Sequence, residues 1–416
     1  MNAKEIEDGL MSCVHCGFCL DACPTYRETG DEADSPRGRL AMMRGVFEKK
    51  LPLVSEEPGS VGYHLDRCLG CRACETACPS GVPYGRLLEQ FRDDQEKEGV
   101  RGMGERVLRE GLLAVLTSPV KMKAALTAGR LTGGRIPGPI ARFVGLPAGT
   151  QLPLPDDLAE SSRPVAEFTP ALGERRGRVA LLTGCVMKVL YGPVHHATVR
   201  VLAANGYEVV VPGGQGCCGA LHGHQGKLHG AKELACDLIA TFEEVKADAL
   251  ILNSAGCGSF LKDYGHLLSD APHWAARAEA LSVRIKDVTE FLMEVGPRPM
   301  TSPIRKRVTY HDACHLRHGQ RIYDAPRQLL KMIPEITFVE TLDSDVCCGS
   351  AGVYNYLQPE LAGELQKKKV KNLLDARADI IATGNPGCLA WIQQGLPQGK
   401  APELMHPIEL LDRAYK

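Results

Sequence analysis

The run C-x2-C-x2-C-x3-C-P occurs twice in the first 80 residues, as Cys13, Cys16, Cys19, Cys23, Pro24 and again as Cys68, Cys71, Cys74, Cys78, Pro79. Such short gaps let one loop offer three thiolates to a single cubane, while the fourth cysteine, held away by its proline, reaches a neighbouring one. The pattern therefore gives Cys13, Cys16, Cys19 and Cys78 to one 4Fe-4S cluster and Cys68, Cys71, Cys74 and Cys23 to a second. Crossed ligation places the two clusters close together, which suits sequential one-electron transfer. Two tetrahedral zinc sites would also use eight thiolates, but the repeated spacing is better explained by cubanes. His15 lies between two of the ligands and reads as a neighbour that tunes hydrogen bonds.

Between Cys23 and Cys68, Ser35 and Pro36 mark the start of a helix over 37 to 49, which favours a helical ferredoxin-like head over the compact β-rich type. The chain has 17 cysteines in 416 residues, an odd number mostly in C-x-x-C and C-C arrangements, which does not suit a disulfide framework. The opening MNAKEIEDGLMSC has no apolar run, and no stretch reaches the roughly 18 apolar residues of a membrane span. A reducing, cytoplasmic location is the expectation. With 49 basic against 50 acidic residues there is no global field for nucleic acid.

The C-terminal part repeats itself. Cys185, the pair Cys217-Cys218 followed by Gly219, and Cys257 recur as Cys314, Cys347-Cys348 followed by Gly349, and Cys388, at offsets of 129, 130 and 131 residues. In each copy strands alternate with helices: RVALLTG, a helix over 193 to 205, YEVVVP, a helix over 226 to 247 and ALILN in the first. The second has RVTYHD, a helix near 324 to 332, ITFVE, a helix over 358 to 376 and DIIATG. That alternation predicts parallel sheets with right-handed crossovers. The cysteines follow strand ends, where open parallel sheets form ligand sites, so one crevice per copy is expected. The G-x-G-x-x-G of Gly214, Gly216 and Gly219 is discounted as a dinucleotide loop, because it follows the second strand and no acidic residue ends the next. Cys236 reads as a buried structural thiol, and His222, His224, His229, His311, His315 and His318 flank the two cysteine sets.

Between head and repeats, residues 101 to 145 carry Arg101, Arg106, Arg109, Lys121, Lys123, Arg130, Arg135 and Arg142 against Glu105 and Glu110. Leu112, Leu113, Val115, Leu116, Met122, Ala125 and Leu126 are interleaved at helical spacing. The segment reads either as a surface for a membrane or an acidic partner, or as a solvated helical linker packed on the next domain. The whole is an α+β multidomain chain: a helical two-cluster ferredoxin-like head (1–95), a basic helical linker (96–175) and two tandem α/β cysteine-rich units (176–300 and 301–416).

The order of a lone cysteine, C-C-G and a later cysteine resembles the cysteine-rich CCG domain of heterodisulfide reductase subunits, which implies a cofactor at Cys185, Cys217, Cys218 and Cys257 and at Cys314, Cys347, Cys348 and Cys388. Members of that family can hold a non-cubane cluster on five cysteines. Here Ser254 and Asn385 stand where the extra cysteine would be, so a further iron–sulfur species and empty structural or redox thiols both stay open. With CVHCGFC, CPTY, SPRGR, DRCLGCRACETACPSGVPY, SAGCGSF and CCGSAGVY added, the chain resembles throughout the iron–sulfur subunits of bacterial glycolate oxidase, a membrane-associated glycolate dehydrogenase. The resemblance implies an electron-transfer subunit beside a flavin-containing chain that oxidises glycolate to glyoxylate, delivering electrons to a quinone-type acceptor from the inner face of the membrane. Subunits serving lactate or glycerol-3-phosphate oxidation share the same pieces, and a thiol or disulfide reductase and a redox-silent assembly scaffold are the alternatives from other classes. No flavin site and no constellation for hydride abstraction is legible in this chain.

Overall fold

The computed structural model describes residues 1–53, 57–99, 101–136, 138, 141, 150–399 and 401–416. The head is helical among its described residues, with helices Ala3–Met11, Pro24–Thr29, Pro36–Phe47, Val61–Asp66, Ala73–Ala77 and Tyr84–Glu98. Pro36–Phe47 starts as the sequence predicts: the Ser35 hydroxyl accepts from the Gly38 amide at 3.0 Å, and Pro36 supplies a preset φ where no amide is needed. Leu40, Met43, Leu65, Leu87, Leu88 and Phe91 form its core, and Cys68 and Cys74 lie in the same cluster. A small apolar core thus surrounds the cysteine loops.

The linker supplies helices Met103–Leu116 and Pro119–Arg130. Two of the charges read as surface basic residues are interior. Arg101 and Arg109 are 5% and 3% exposed. Arg101 forks onto Asp66 and reaches Glu96 at 2.6 Å, while Arg109 pairs with Glu105 at 2.7 Å and donates to Gln225. They tie head, linker and first repeat together, a role that a count of charges cannot reveal. Of the apolar set, Leu113, Met122 and Leu126 are buried, and Met122 and Leu126 pack with Val186, Val189 and Leu190 of the first repeat. Lys121, Lys123 and Arg130 stay exposed beside Val120 and Leu131, and Arg142 lies outside the described residues.

Among the described residues nine strands form two sheets: β1 Phe168–Thr169, β2 Gly177–Leu181, β3 Tyr207–Val210, β4 Ala249–Leu252, β5 Ile285–Asp287, β6 Arg307–Tyr310, β7 Thr337–Phe338, β8 Ile380–Ala382 and β9 Glu403–Met405. The orders are β1-β3-β2-β4-β5 and β7-β6-β8-β9, all parallel except β1 against β3. Setting β1 aside, the two repeats share one strand order. Each ends alike: a strand (β5 or β9), then a helix whose N-terminus carries a capping box, Asp287 with Glu290 and His406 with Glu409. The strands β5 and β9 are not among those expected from the sequence and emerge only in the fold.

The two units do not stand apart. Val179, Leu181, Val201 and Leu202 of the first share one core with Val308, Tyr310, Leu329, Ile408 and Leu411 of the second. Helix Gly192–Ala204 packs on the last helix, Pro407–Ala414, where Arg200 forks onto Asp412 at 2.8 and 2.7 Å. Deeper in the seam, His406 Nε2–H donates to the Asn253 carbonyl at 3.1 Å, and His195 Nε2–H to the Thr183 carbonyl at 3.0 Å.

Candidate metal centres

In the head, Cys13, Cys16, Cys19 and Cys78 line one small cavity, and Cys23, Cys68, Cys71 and Cys74 line a second. Tyr84, Pro36 and Cys74 border both, so the two sets are immediate neighbours. The loops need backbone that most side chains avoid: His15 (φ 54°) and Arg72 (φ 64°) are left-handed beside Gly17 and Gly70. That curl lets amides face sulfur, as Gly70 N–H does toward Cys68 Sγ at 3.4 Å, where the Tyr84 hydroxyl also points at 3.6 Å.

Burial separates the two sets. Cys16 is exposed and Cys13, Cys19 and Cys78 are half-buried, whereas all four cysteines of the other set are buried. Burial and neighbouring thiols push Cys71 and Cys74 well above the ordinary thiol range. Left alone these sulfurs would stay protonated, so thiolate in this pocket requires a soft cation, which fits an iron–sulfur cluster. Arg39, fully buried, braces the inner set by donating to the His64 carbonyl at 2.7 Å, Thr25 Oγ1 at 3.1 Å and Asp34 Oδ1 at 3.1 Å. Asp34 also receives His64 Nδ1–H at 2.9 Å and Arg67 Nε–H at 3.0 Å. Burial would raise this carboxyl, but the His64 hydrogen bond and the Arg39 and Arg67 charges hold it below its usual range. Nothing in the cysteine spacing announced this network.

The repeat cysteines converge further than predicted. Instead of one crevice per copy, a single cavity of about 200 Å³ is lined by Cys185, Cys217, Cys218 and Cys257 of the first repeat and Cys314, Cys347, Cys348 and Cys388 of the second. The shared core presses the two sheet edges together, so their crevices merge. Cys68 of the head lines the same cavity. Cys71 packs with Cys347, Tyr354 and Leu365, and Cys314 lies against that cluster. The head is fixed there by His315 Nε2–H to the Gly70 carbonyl at 2.9 Å, Tyr354 O–H to the Arg67 carbonyl at 2.9 Å, and the Arg72 and Arg86 pairs with Asp263 at 3.0 and 2.8 Å.

Cys185 Sγ and Cys217 Sγ are 3.5 Å apart, and Cys314 Sγ and Cys347 Sγ 4.0 Å. Hydrogen bonds from Cys185 and Cys218 lower Cys217, and those from Cys218 and Ser254 lower Cys257. In the second copy Cys314 is pushed up by donating to Cys347 and by burial. Ser254 and Asn385 therefore act on the sulfur that remains: Ser254 bonds Cys257, and Asn385 Nδ2–H reaches Cys388 Sγ at 3.5 Å.

Among the histidines, His224 and His315 line the cavity with ring centres 4.9 Å apart, and His222 and His318 lie close by, His318 Nδ1 3.0 Å from Thr76 Oγ1. His229 does not flank the site; its side chain is 91% exposed and pairs with Glu233 on a helix surface. Cys236 is half-buried in helix Leu228–Glu243, so it is less enclosed than read.

Residues 9–82 match the 4Fe-4S dicluster domain family, and residues 179–262 and 308–393 each match the cysteine-rich domain family. Fold and sites thus define an iron–sulfur protein with a dicluster head and two cysteine-rich domains, and the chain carries 4Fe-4S clusters. It is 38% identical to the probable glycolate oxidase iron–sulfur subunit of Bacillus subtilis (strain 168), covering 98% of this chain and 93% of that one. It is 34% identical to the glycolate oxidase iron–sulfur subunit of Escherichia coli (strain K12), covering 100% and 96%. The chain belongs to the family of glycolate oxidase iron–sulfur subunits. A crystal structure of a hypothetical protein from Helicobacter pylori shares the fold, with a TM-score of 0.58 at 10% identity over 100% of this chain and 77% of that one.

Proposed function

We propose that the chain is the electron wire of a glycolate dehydrogenase complex, taking electrons from a flavin subunit that oxidises glycolate to glyoxylate and passing them singly toward a quinone-type acceptor. On this reading Cys13, Cys16, Cys19 and Cys78 hold the outer cluster, and Cys68, Cys71, Cys74 and Cys23 the inner one. The carrying observation is the gradient of exposure, from the exposed Cys16 to the buried inner set and on to the cavity where Cys71 meets Cys347. Met11, Val14 and Phe18, exposed at 47%, 68% and 66%, give the outer end an apolar rim for the flavin subunit. The cysteines of one or both repeats, at the inner end, are the proposed seat of a further iron–sulfur species.

When bound, the clusters supply one-electron redox chemistry, and the protein tunes it through hydrogen bonds and burial around sulfur. Gly70 N–H and Tyr84 O–H act on Cys68 in this way, and Arg39 sets a positive charge beside Cys23 and Cys68. No helix among the described residues is long and apolar enough to cross a membrane. A peripheral contact is assigned to the outer face of helix Pro119–Arg130, where Val120 and Leu131, at 80% and 90% exposure, stand among Lys121, Lys123 and Arg130.

Cys71→Ser in the assembled complex is the test. It is expected to abolish reduction of an acceptor dye while glycolate still bleaches the partner's flavin. Loss of flavin bleaching as well, or unchanged dye reduction, would reject the wire.

A further inference from the structure

The two repeats differ at one buried position that bears on metal. Leu182 follows β2 in the first repeat, and 129 residues later His311 follows β6 in the second. His311 is fully buried, and its Nδ1–H donates to the Ser344 carbonyl at 3.0 Å. That bond fixes the tautomer and leaves the Nε2 lone pair free, and Nε2 has no partner among the described residues. An orphaned buried ring nitrogen is costly unless something accepts its lone pair. The Sγ atoms of Cys348 and Cys388 supply the setting: both sulfurs and a ring nitrogen of His311 lie within 4.8 Å of one another, and all three residues are buried.

We propose that His311, Cys348 and Cys388 bind a single divalent ion of the zinc class. The first repeat, which has leucine in place of the histidine, is thereby left as the seat of the further iron–sulfur species. The donor set is the one such an ion takes, thiolate sulfur with imidazole nitrogen. Around a tetrahedral centre with bonds of about 2.3 Å to sulfur and about 2.0 Å to nitrogen, ligand atoms stand roughly 3.5 to 3.8 Å apart, so the trio needs to close by about 1 Å. Two thiolates and a neutral imidazole cancel the charge of a divalent ion, so the complex is neutral where burial would penalise a charge. The hydrogen bond from Nδ1–H to a backbone carbonyl is the support that metal-binding histidines ordinarily have. Binding releases the two thiol protons to solvent, and no electron moves. Asn385, whose Nδ2–H reaches Cys388 Sγ, supports the thiolate from outside.

The test uses the full chain purified anaerobically, with zinc and iron measured separately and Co2+ as a spectroscopic stand-in. About one zinc per chain is expected beside the head's iron, lost in His311→Leu and in Cys388→Ser while the iron bound by the head is unchanged. The Co2+-loaded protein should show tetrahedral ligand-field bands with thiolate charge transfer, and His311→Cys should keep Co2+ with stronger charge transfer. That variant retains a ligand, so its behaviour separates lost coordination from a damaged fold. Absence of zinc from the wild type, or zinc and Co2+ uptake untouched by His311→Leu, would overturn the assignment. So would loss of iron and sulfide with His311→Leu, since His311 would then belong to a cluster. Loss of the head's iron in the wild type is a different failure, which would strike the electron wire and leave this site standing.

Discussion

The seam between the repeats makes the protein acid-sensitive through two histidines that hold no proposed cofactor. Burial lowers His195 to about 4 and His406 to about 3, so both are neutral in the folded chain. Their hydrogen bonds require that form, because His195 Nδ1 accepts from Asn253 Nδ2–H and His406 Nδ1 accepts from the Ile408 amide. In the unfolded chain each titrates near 6.5. Below that value the unfolded state binds more protons than the folded one, so stability falls as pH falls. At pH 5 the loss is about 2 kcal/mol per histidine, set by the unfolded value because both folded values lie below the working pH. Together that is about 4 kcal/mol, a large share of the 5 to 15 typical of a domain. Urea unfolding at pH 7.5 and pH 5, followed by fluorescence of Trp274 and Trp391, one in each repeat, measures the drop. A His195→Gln, His406→Asn double variant should show a drop about 4 kcal/mol smaller than the wild type, and any packing loss cancels because it is common to both pH values. Equal drops in the two proteins would mean that the histidines are already charged in the fold, and the reasoning fails.

Other perturbations follow from the geometry. Arg39→Met removes one of the three partners of Asp34 and leaves the His64 and Asp34 carbonyls without its guanidinium, and should lower stability by about 2 to 4 kcal/mol in anaerobic urea unfolding. Gly226→Ala places a Cβ against the backbone of Arg92, 2.6 Å from the Asp93 nitrogen, at φ +77°. The head should then loosen from the first repeat, read as faster proteolysis of the linker with the head's iron retained. Val120→Asp with Leu131→Asp should reduce sedimentation with anionic vesicles without changing iron content, and unchanged sedimentation would remove that helix face from membrane contact.

The cysteine grammar made the gathering of the head's eight cysteines around two neighbouring cavities legible, because short-range spacing fixes which thiols one loop can present. The repeat offsets likewise carried the α/β plan, since equal spacing of strands, helices and C-C-G motifs leaves little choice of topology. Interfaces were not legible. Arg101 and Arg109 looked like surface charge because their acceptors, Asp66, Glu96 and Gln225, lie on other elements. One crevice per copy was the natural reading of each repeat alone, and the shared core of Val179, Val201, Val308 and Ile408 overrode it. His311 was visible as one of six histidines, and laying the two repeats over each other at Leu182 would have marked it out.

Two copies of one unit in a single chain meet here across an interface that, between separate subunits, would have to be self-complementary. A symmetric dimer cannot place leucine on one side and histidine on the other, because one gene position fills both. Covalent fusion removes that constraint, so Leu182 and His311 can differ and the paired sheet edges can specialise. The chain keeps the enclosed geometry of a dimer interface while each half becomes free to acquire its own chemistry.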